Sequence, residues 1–354
     1  MNSKRPSREL SLVLSDTFRL SADSIRRVFV YSIILTFPAW LYSCTGLEVT
    51  DTVSEPPAGT AVISADADVG TLDVFVFNND RLGRLDSYQR FDKWTTGDKE
   101  MKVASCYGDK TMVILANSGT DRYGWTDINC RKTLESRMFD LENEDPDHPV
   151  MSCAYGITTG QAYSPRLRTL SSDIILRSIR CDFSDRSYSG HKLTDIRVFL
   201  TNVNASCHIG AEGEVYPARI VNAGVLMESD MERFRHPELV YRELGEDVGE
   251  EWVYPRITLK AYPNCCREES LGTPFTRLVI EGKVNGELCY YPIPVNREYG
   301  TEEPGIHRNM CYIYDLNITR KGLTTPDGVI NADMIQTIME IKEWKEKDWY
   351  NISY

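Results

Sequence analysis

The residue placed most clearly for chemistry in this chain is a thiol. Leu41-Tyr42-Ser43-Cys44 follows directly on the apolar run Val28 to Leu41, itself preceded by the basic pair Arg26-Arg27. A basic segment, an apolar core of about 7–15 residues and a small residue before the cut are the parts of a secretory signal. A cysteine immediately after that small residue resembles a lipobox, whose thiol carries a covalent acyl lipid once the signal is removed. The alternative, a transmembrane or buried helix, would need roughly 20 apolar residues to span a bilayer, and Pro38 interrupts the run. The expectation is a signal peptide over residues 1–43 and a lipid on Cys44, with no other cofactor.

Other residue types capable of chemistry lack the spacing it requires. Glu142, Glu144, Asp145 and Asp147 are acidic enough for calcium, but the glycine and glutamate positions of an EF-hand loop are not met, so a solvated loop is expected. His148, His191, His208, His236 and His307 are scattered, with no HExxH or paired spacing, and no metal site is expected. Cys207-His208 cannot act as a dyad within a strand, because adjacent side chains point to opposite faces. Cys265-Cys266 is too local for an ordinary bridge. GxSxG, P-loop and GxGxxG motifs are absent. Glycosidase carboxylates carry no local signature, yet these acidic residues lack a site-like context, and the chain reads as a non-enzyme.

Composition narrows the class further. Residues 1–43 carry six basic and three acidic side chains, so their removal moves the formal charge from −12 to −15. Such a surface repels nucleic-acid phosphates, and no nucleic-acid partner is expected. Nine cysteines remain after Cys44, an odd number without CxxC spacing. Several, such as Cys181 and Cys311, sit in apolar strand patterns where a thiol behaves as a small buried hydrophobe. Free core thiols are the preferred reading, with one or two bridges left open.

The elements are mostly β. Nineteen tyrosines, frequent Val, Ile and Thr, and many short turn-bounded segments favour strands. Residues 44–59 read as a polar, lipidated tether with Pro56-Pro57. Thr60 to Ala67 is a weak strand, whereas Thr71 to Phe77 and Thr111 to Ala116 are strong, the latter apolar on both faces. Ser136 to Val150 reads as an acidic surface loop, and residues 151–172 as the domain junction. Strands recur at Ile174 to Phe183, Leu193 to Val203, Trp252 to Ala261, Phe275 to Val284, Glu287 to Val295, Met310 to Thr319 and Thr337 to Trp344. Asn285-Gly286 marks a type I′ hairpin. Glu228 to Leu244 is the one helix-like stretch. Two domains are expected after the tether, residues 60–170 and residues 171–354, each a β-sandwich.

Taken in order, the landmarks resemble the fimbrillins, the type V pilins of anaerobic Gram-negative bacteria. They are the lipobox at Cys44, TLDVFVFNND (71–80), KTMVILANSGT (110–120), ILRSIRCDF (175–183) leading into LTDIRVFLTNV (193–203), YYPIPVN (290–296), GIHRNMCYIYDLNITRKG (305–322) and IKEWKEKDWYNISY (341–354). The resemblance implies two transthyretin-like sandwiches in tandem, an outer-membrane lipoprotein precursor, and assembly with other fimbrial subunits by strand exchange. A protease would excise the first strand, represented here by Val62 and Ile63, and a neighbour's C-terminal arm would fill the groove. On this chain the arm would lie within Thr337 to Tyr354, with Ile338, Met339, Ile341, Trp344 and Trp349 as apolar knobs. The same segment also reads as a plain final strand.

The arginine-specific cut implied by that family has no place here, because no Lys or Arg lies between Cys44 and Arg81. Two outcomes stay open: a protease of other specificity acts at Asp66 to Gly70, or the first strand is retained and the subunit stays anchored by its lipid. The alternative function is a surface lipoprotein that binds a host protein or glycan without polymerising, using exposed aromatics such as Tyr123, Trp125 and Tyr163.

Overall fold

The computed structural model describes residues 59–63, 69–94, 101–164, 166–210, 215–298 and 301–344, all within the compact unit Pro57–Tyr354. The described residues hold twenty strands, β1 to β20, and two α-helices of barely one turn, Arg131–Glu135 and Glu228–Met231. Apolar side chains at alternate and at successive positions decide how these strands layer.

The first half is built on a five-stranded antiparallel sheet in the order β3 (Leu85–Trp94), β2 (Val69–Asn78), β5 (Asp109–Ala116), β7 (Met151–Thr158), β9 (Arg168–Thr169). Its two central strands are buried on both faces. Phe75, Phe77, Val113 and Leu115 join the main apolar cluster of the molecule. Leu72, Val74, Val76, Met112, Ile114 and Ala116 face the other way, into a separate cluster closed by Val103. That second face is covered by a small sheet in the order β4 (Met101–Ser105), β1 (Gly59–Ile63), β8 (Ala162–Tyr163). Asp73 lies fully buried inside the apolar run of β2 because three donors reach it: Ser118 Oγ at 2.9 Å, Tyr88 Oη at 2.8 Å and Arg90 Nη1 at 3.1 Å.

The second half pairs two four-stranded sheets. One runs β16 (Ile257–Ala261), β10 (Ser172–Cys181), β19 (Met310–Ile318), β20 (Ile335–Glu343), with β10 and β19 parallel. The other is antiparallel, β15 (Tyr241–Leu244), β11 (Leu193–Thr201), β17 (Arg277–Val284), β18 (Glu287–Pro294). Tyr312, Tyr314, Leu316 and Ile318 of the first meet Ile196, Val198 and Leu200 of the second in one core, so the fold is mostly β, with sandwiches in tandem. The hairpin between β17 and β18 turns at Asn285-Gly286, both with positive φ (53° and 80°), as the type I′ geometry requires. Two short pairings complete the set, β12 (Val203–Asn204) with β14 (Ile220–Val221), and β13 (Ser206–His208) with β6 (Met138–Asp140).

Three expectations are corrected. Ser136 to Val150 is not a surface loop: it contributes β6 and buries Phe139, Leu141, Glu144 and Val150. Of its acidic residues Glu144 is buried and Glu142 pairs with Arg219 at 2.6 Å and with Arg233 at 3.2 Å, while Asp145 and Asp147 stay exposed. Of Glu228 to Leu244 only the turn Glu228–Met231 is α-helical, because Pro237 disfavours helical backbone at His236 and the segment ends as strand β15. Trp125 is not an exposed aromatic but a core residue lying edge-on to Phe75.

Glu144 is the most deeply buried acid of that segment, 2% exposed, beside Lys260 and Asp173 at 7% and 1%. Its Oε1 accepts from Ser171 Oγ at 3.1 Å and from Val150 N at 3.3 Å, while Lys260 Nζ donates to Asp173 at 2.7 Å. Burial holds the Glu144 carboxyl above its ordinary value, against the attraction of Lys260. A carboxyl whose folded pKa is raised contributes stability below its unfolded value of about 4.3 that is lost as pH climbs through the folded value. The stability of the parent chain relative to Glu144→Gln, read from thermal melts at pH 5 and pH 8, should therefore be lower at pH 8. An equal difference at both pH values would show that Glu144 titrates normally.

Candidate assembly strands at the chain ends

The first described strand fills the middle of its sheet. β1 runs antiparallel to β4 over five residue pairs, Gly59↔Ser105 to Ile63↔Met101, and parallel to β8 through Val62↔Ala162 and Ile63↔Tyr163. Val62 and Ile63 are thus the two residues at which all three strands are paired side by side. Without β1, the described strands β4 and β8 have no partner between them. The apolar face of β2 and β5 then lies beneath a gap one strand wide.

The last described strand occupies an edge. β20 pairs antiparallel with β19 from Met310↔Glu343 to Ile318↔Ile335, and its other side has no partner among the described residues. Its burial declines along the strand. On the core face Ile335 is 5% exposed and Met339 is partly buried against the main cluster, while Ile341 rises to 41%. On the outer face Ile338 is 65% exposed. Trp344, just beyond the strand, packs against Ile175, Cys311 and Ile313 and donates its N–H to Asn309 O at 2.8 Å.

Polar groups hold much of this strand. Arg177, at the β10 bulge, pairs with Asp315 of β19 and with Glu340 of β20, the latter at 2.8 Å. Those partners hold the Arg177 guanidinium above its already high pKa, outweighing the cost of partial burial. Asn317 Nδ2 donates to Gln336 Oε1 at 2.8 Å, and Arg166 meets Glu343 at 3.1 Å. Exposed pairs of this kind contribute only about 0–1 kcal/mol each. β20 is accordingly the most weakly buried long strand of its sheet.

The structure brings Ile338, Met339, Ile341 and Trp344 together at this edge, in the chain's own sheet. Cys44 and Trp349 lie outside the described residues. Sequence reasoning did not find the pair formed by buried Cys265 and half-buried His307, which are far apart in the chain: Cys265 Sγ lies 3.4 Å from His307 Nδ1 and donates to Ile306 O at 3.0 Å. Burial pushes this thiol up from its ordinary value, the opposite of what a nucleophile needs. Cys207 is buried while His208 is exposed, on opposite faces of β13. All nine described cysteines are free thiols.

No protein-family model and no curated protein sequence matches the chain. Its fold is similar to that of a fimbrilin from Porphyromonas gingivalis W83, with a TM-score of 0.60 at 14% identity over 80% of this chain and 97% of that one. A Bacteroides eggerthii DSM 20697 protein provisionally assigned to cell adhesion also scores 0.60, at 13% identity over 81% and 96%. The tip fimbrial protein Mfa3 of Porphyromonas gingivalis, solved with a C-terminal truncation, scores 0.52 at 13% identity over 81% and 100%. At these identities the likeness is one of fold.

The burial gradient in β20 has a measurable consequence. Ile335→Ala should lower stability by about 2–4 kcal/mol, whereas Ile338→Ser should change it by no more than about 0.5 kcal/mol. Chemical denaturation of both variants checks this, and equal losses would show that the outer face of β20 is covered.

Proposed function

We propose that this chain is a structural, non-enzymatic fimbrial subunit, delivered to the outer membrane as a lipoprotein through Cys44 and joined to other fimbrial subunits by strand exchange. The observation that carries this reading is the contrast between the chain ends. Among the described residues the first strand fills the centre of a sheet over an apolar face, and the last is an edge strand with exposed isoleucines. Loss of the first leaves a groove, and release of the last supplies a strand.

The energetics favour such an exchange. A donated strand restores both ladders of main-chain hydrogen bonds and seats alternate side chains in the vacated pockets. Each large apolar side chain so buried contributes roughly 1.5–3 kcal/mol. Addition of this kind is head-to-tail and does not close, so it propagates as a filament. The donated arm lies within Thr337 to Tyr354, and location in the cell-surface fimbrium follows from the lipoprotein route.

One observation favours retention of the first strand in this subunit. Between Cys44 and Arg81 there is no Lys or Arg, and Arg81 lies in the turn after β2. A cut there would remove β2, a central strand of the five-stranded sheet. A subunit that keeps β1 also keeps its lipid and acts as the anchored base of a fimbrium, donating its arm but accepting none.

Deleting Thr337 to Tyr354 should abolish multimers with partner subunits while leaving the circular dichroism of a folded β protein. Multimers of unchanged size from this variant would exclude donation by the arm.

A further inference from the structure

We infer that a basic pocket beside the β7 edge binds a carboxylate-bearing sugar. β9 pairs with β7 only at Met151 and Ser152, so from Cys153 onward the outer edge of β7 has no strand partner among the described residues. A cavity of about 290 Å³ opens there, with Arg131, Arg166, Arg168 and Arg308 in its walls and Glu135 as the one carboxylate among its lining residues. In a chain of net charge −12, four guanidinium groups around one cavity run against the overall composition. They create a local positive potential that favours an anion.

The groups differ in their freedom to bind. Arg308 is 8% exposed and fixed from below, donating to Arg168 O at 2.9 Å and to Ser152 Oγ at 3.0 Å. Arg131 is engaged by Glu135 at 2.5 Å and Arg166 by Glu343 at 3.1 Å. The exposed Arg168 side chain makes no ion pair among the described residues. Arg168 is therefore the guanidinium best placed to offer a planar two-pronged contact, the geometry that matches a carboxylate.

Size and rim point to a sugar. The volume lies at the small end of ligand pockets, which run from about 300 to 1,000 Å³, and admits one pyranose rather than a longer chain. Tyr155, 41% exposed at the rim, is held edge-on to Tyr163 with ring centroids 5.6 Å apart. A fixed, exposed tyrosine offers a flat apolar face with a polar tip, suited to a ring that presents C–H groups and hydroxyls. The class assigned is a uronic acid or similar acidic sugar residue of a glycan, and the assignment does not depend on whether the chain polymerises.

Isothermal titration of the full chain with glucuronate, glucose and succinate at low salt tests this. Glucuronate should bind saturably and at least about tenfold more tightly than glucose, which lacks the charge, or succinate, which lacks the ring. Arg168→Gln should weaken glucuronate about tenfold with an unchanged melting temperature, and Tyr155→Ala should weaken glucuronate but not succinate. Absence of saturable binding, equal affinity for succinate, or an unaffected Arg168→Gln variant would overturn the inference.

Discussion

The structure depends on covering the second face of the five-stranded sheet. Leu72, Val74, Val76, Met112, Ile114 and Ala116 all point away from the main core and are at most 1% exposed. At roughly 1.5–3 kcal/mol for each large apolar side chain, that face is worth on the order of 10 kcal/mol, comparable with the whole stability of a typical domain, about 5–15 kcal/mol. The chain therefore cannot leave the face open for long. Its cover is a sheet of three strands whose middle member, β1, is joined to the rest through residues 64–68.

This constraint links the two chain ends. A cover that contributes much stability but is attached at one end is replaceable only by something that reproduces both its backbone ladder and its side chains. A strand from another subunit meets both needs, and a small ligand meets neither. β20 is suited to leave its own sheet because its burial fades from Ile335 to Ile341 and polar pairs such as Arg177 with Glu340 replace apolar contact. By contrast β19, which it leaves behind, keeps Tyr312, Tyr314, Leu316 and Ile318 locked in the core.

Much of this was legible in the sequence where periodicity is set by burial alone. β2, β5, β11 and β19 carry unbroken or alternating apolar residues, and Asn285-Gly286 fixes its hairpin without tertiary help. β3 was missed because LDSYQRFDKW is polar and half-buried along an edge, and its key residue, Arg90, serves Asp73 on the neighbouring strand. The segment Ser136 to Val150 was misread because five acidic residues mask Phe139 and Leu141. Nothing local shows that Arg219, some 77 residues away, will neutralise Glu142, or that Glu144 will be buried beside Lys260. The chain ends were legible as strands, but centre and edge are properties of a sheet and are not written in either segment. The arginine pocket was invisible for the same reason, since its members are spread from Arg131 to Arg308.

The central claim is that β1, which this subunit retains unless it is cut, can be replaced by a strand of another subunit. The most direct measurement introduces a specific protease site into residues 64–68 of the full chain and follows mass and oligomeric state before and after cleavage. The account predicts that the cut chain releases its first strand and forms head-to-tail multimers, while the uncut chain does not. A cut chain that keeps β1 bound, or that loses it and stays a folded monomer, would contradict strand exchange.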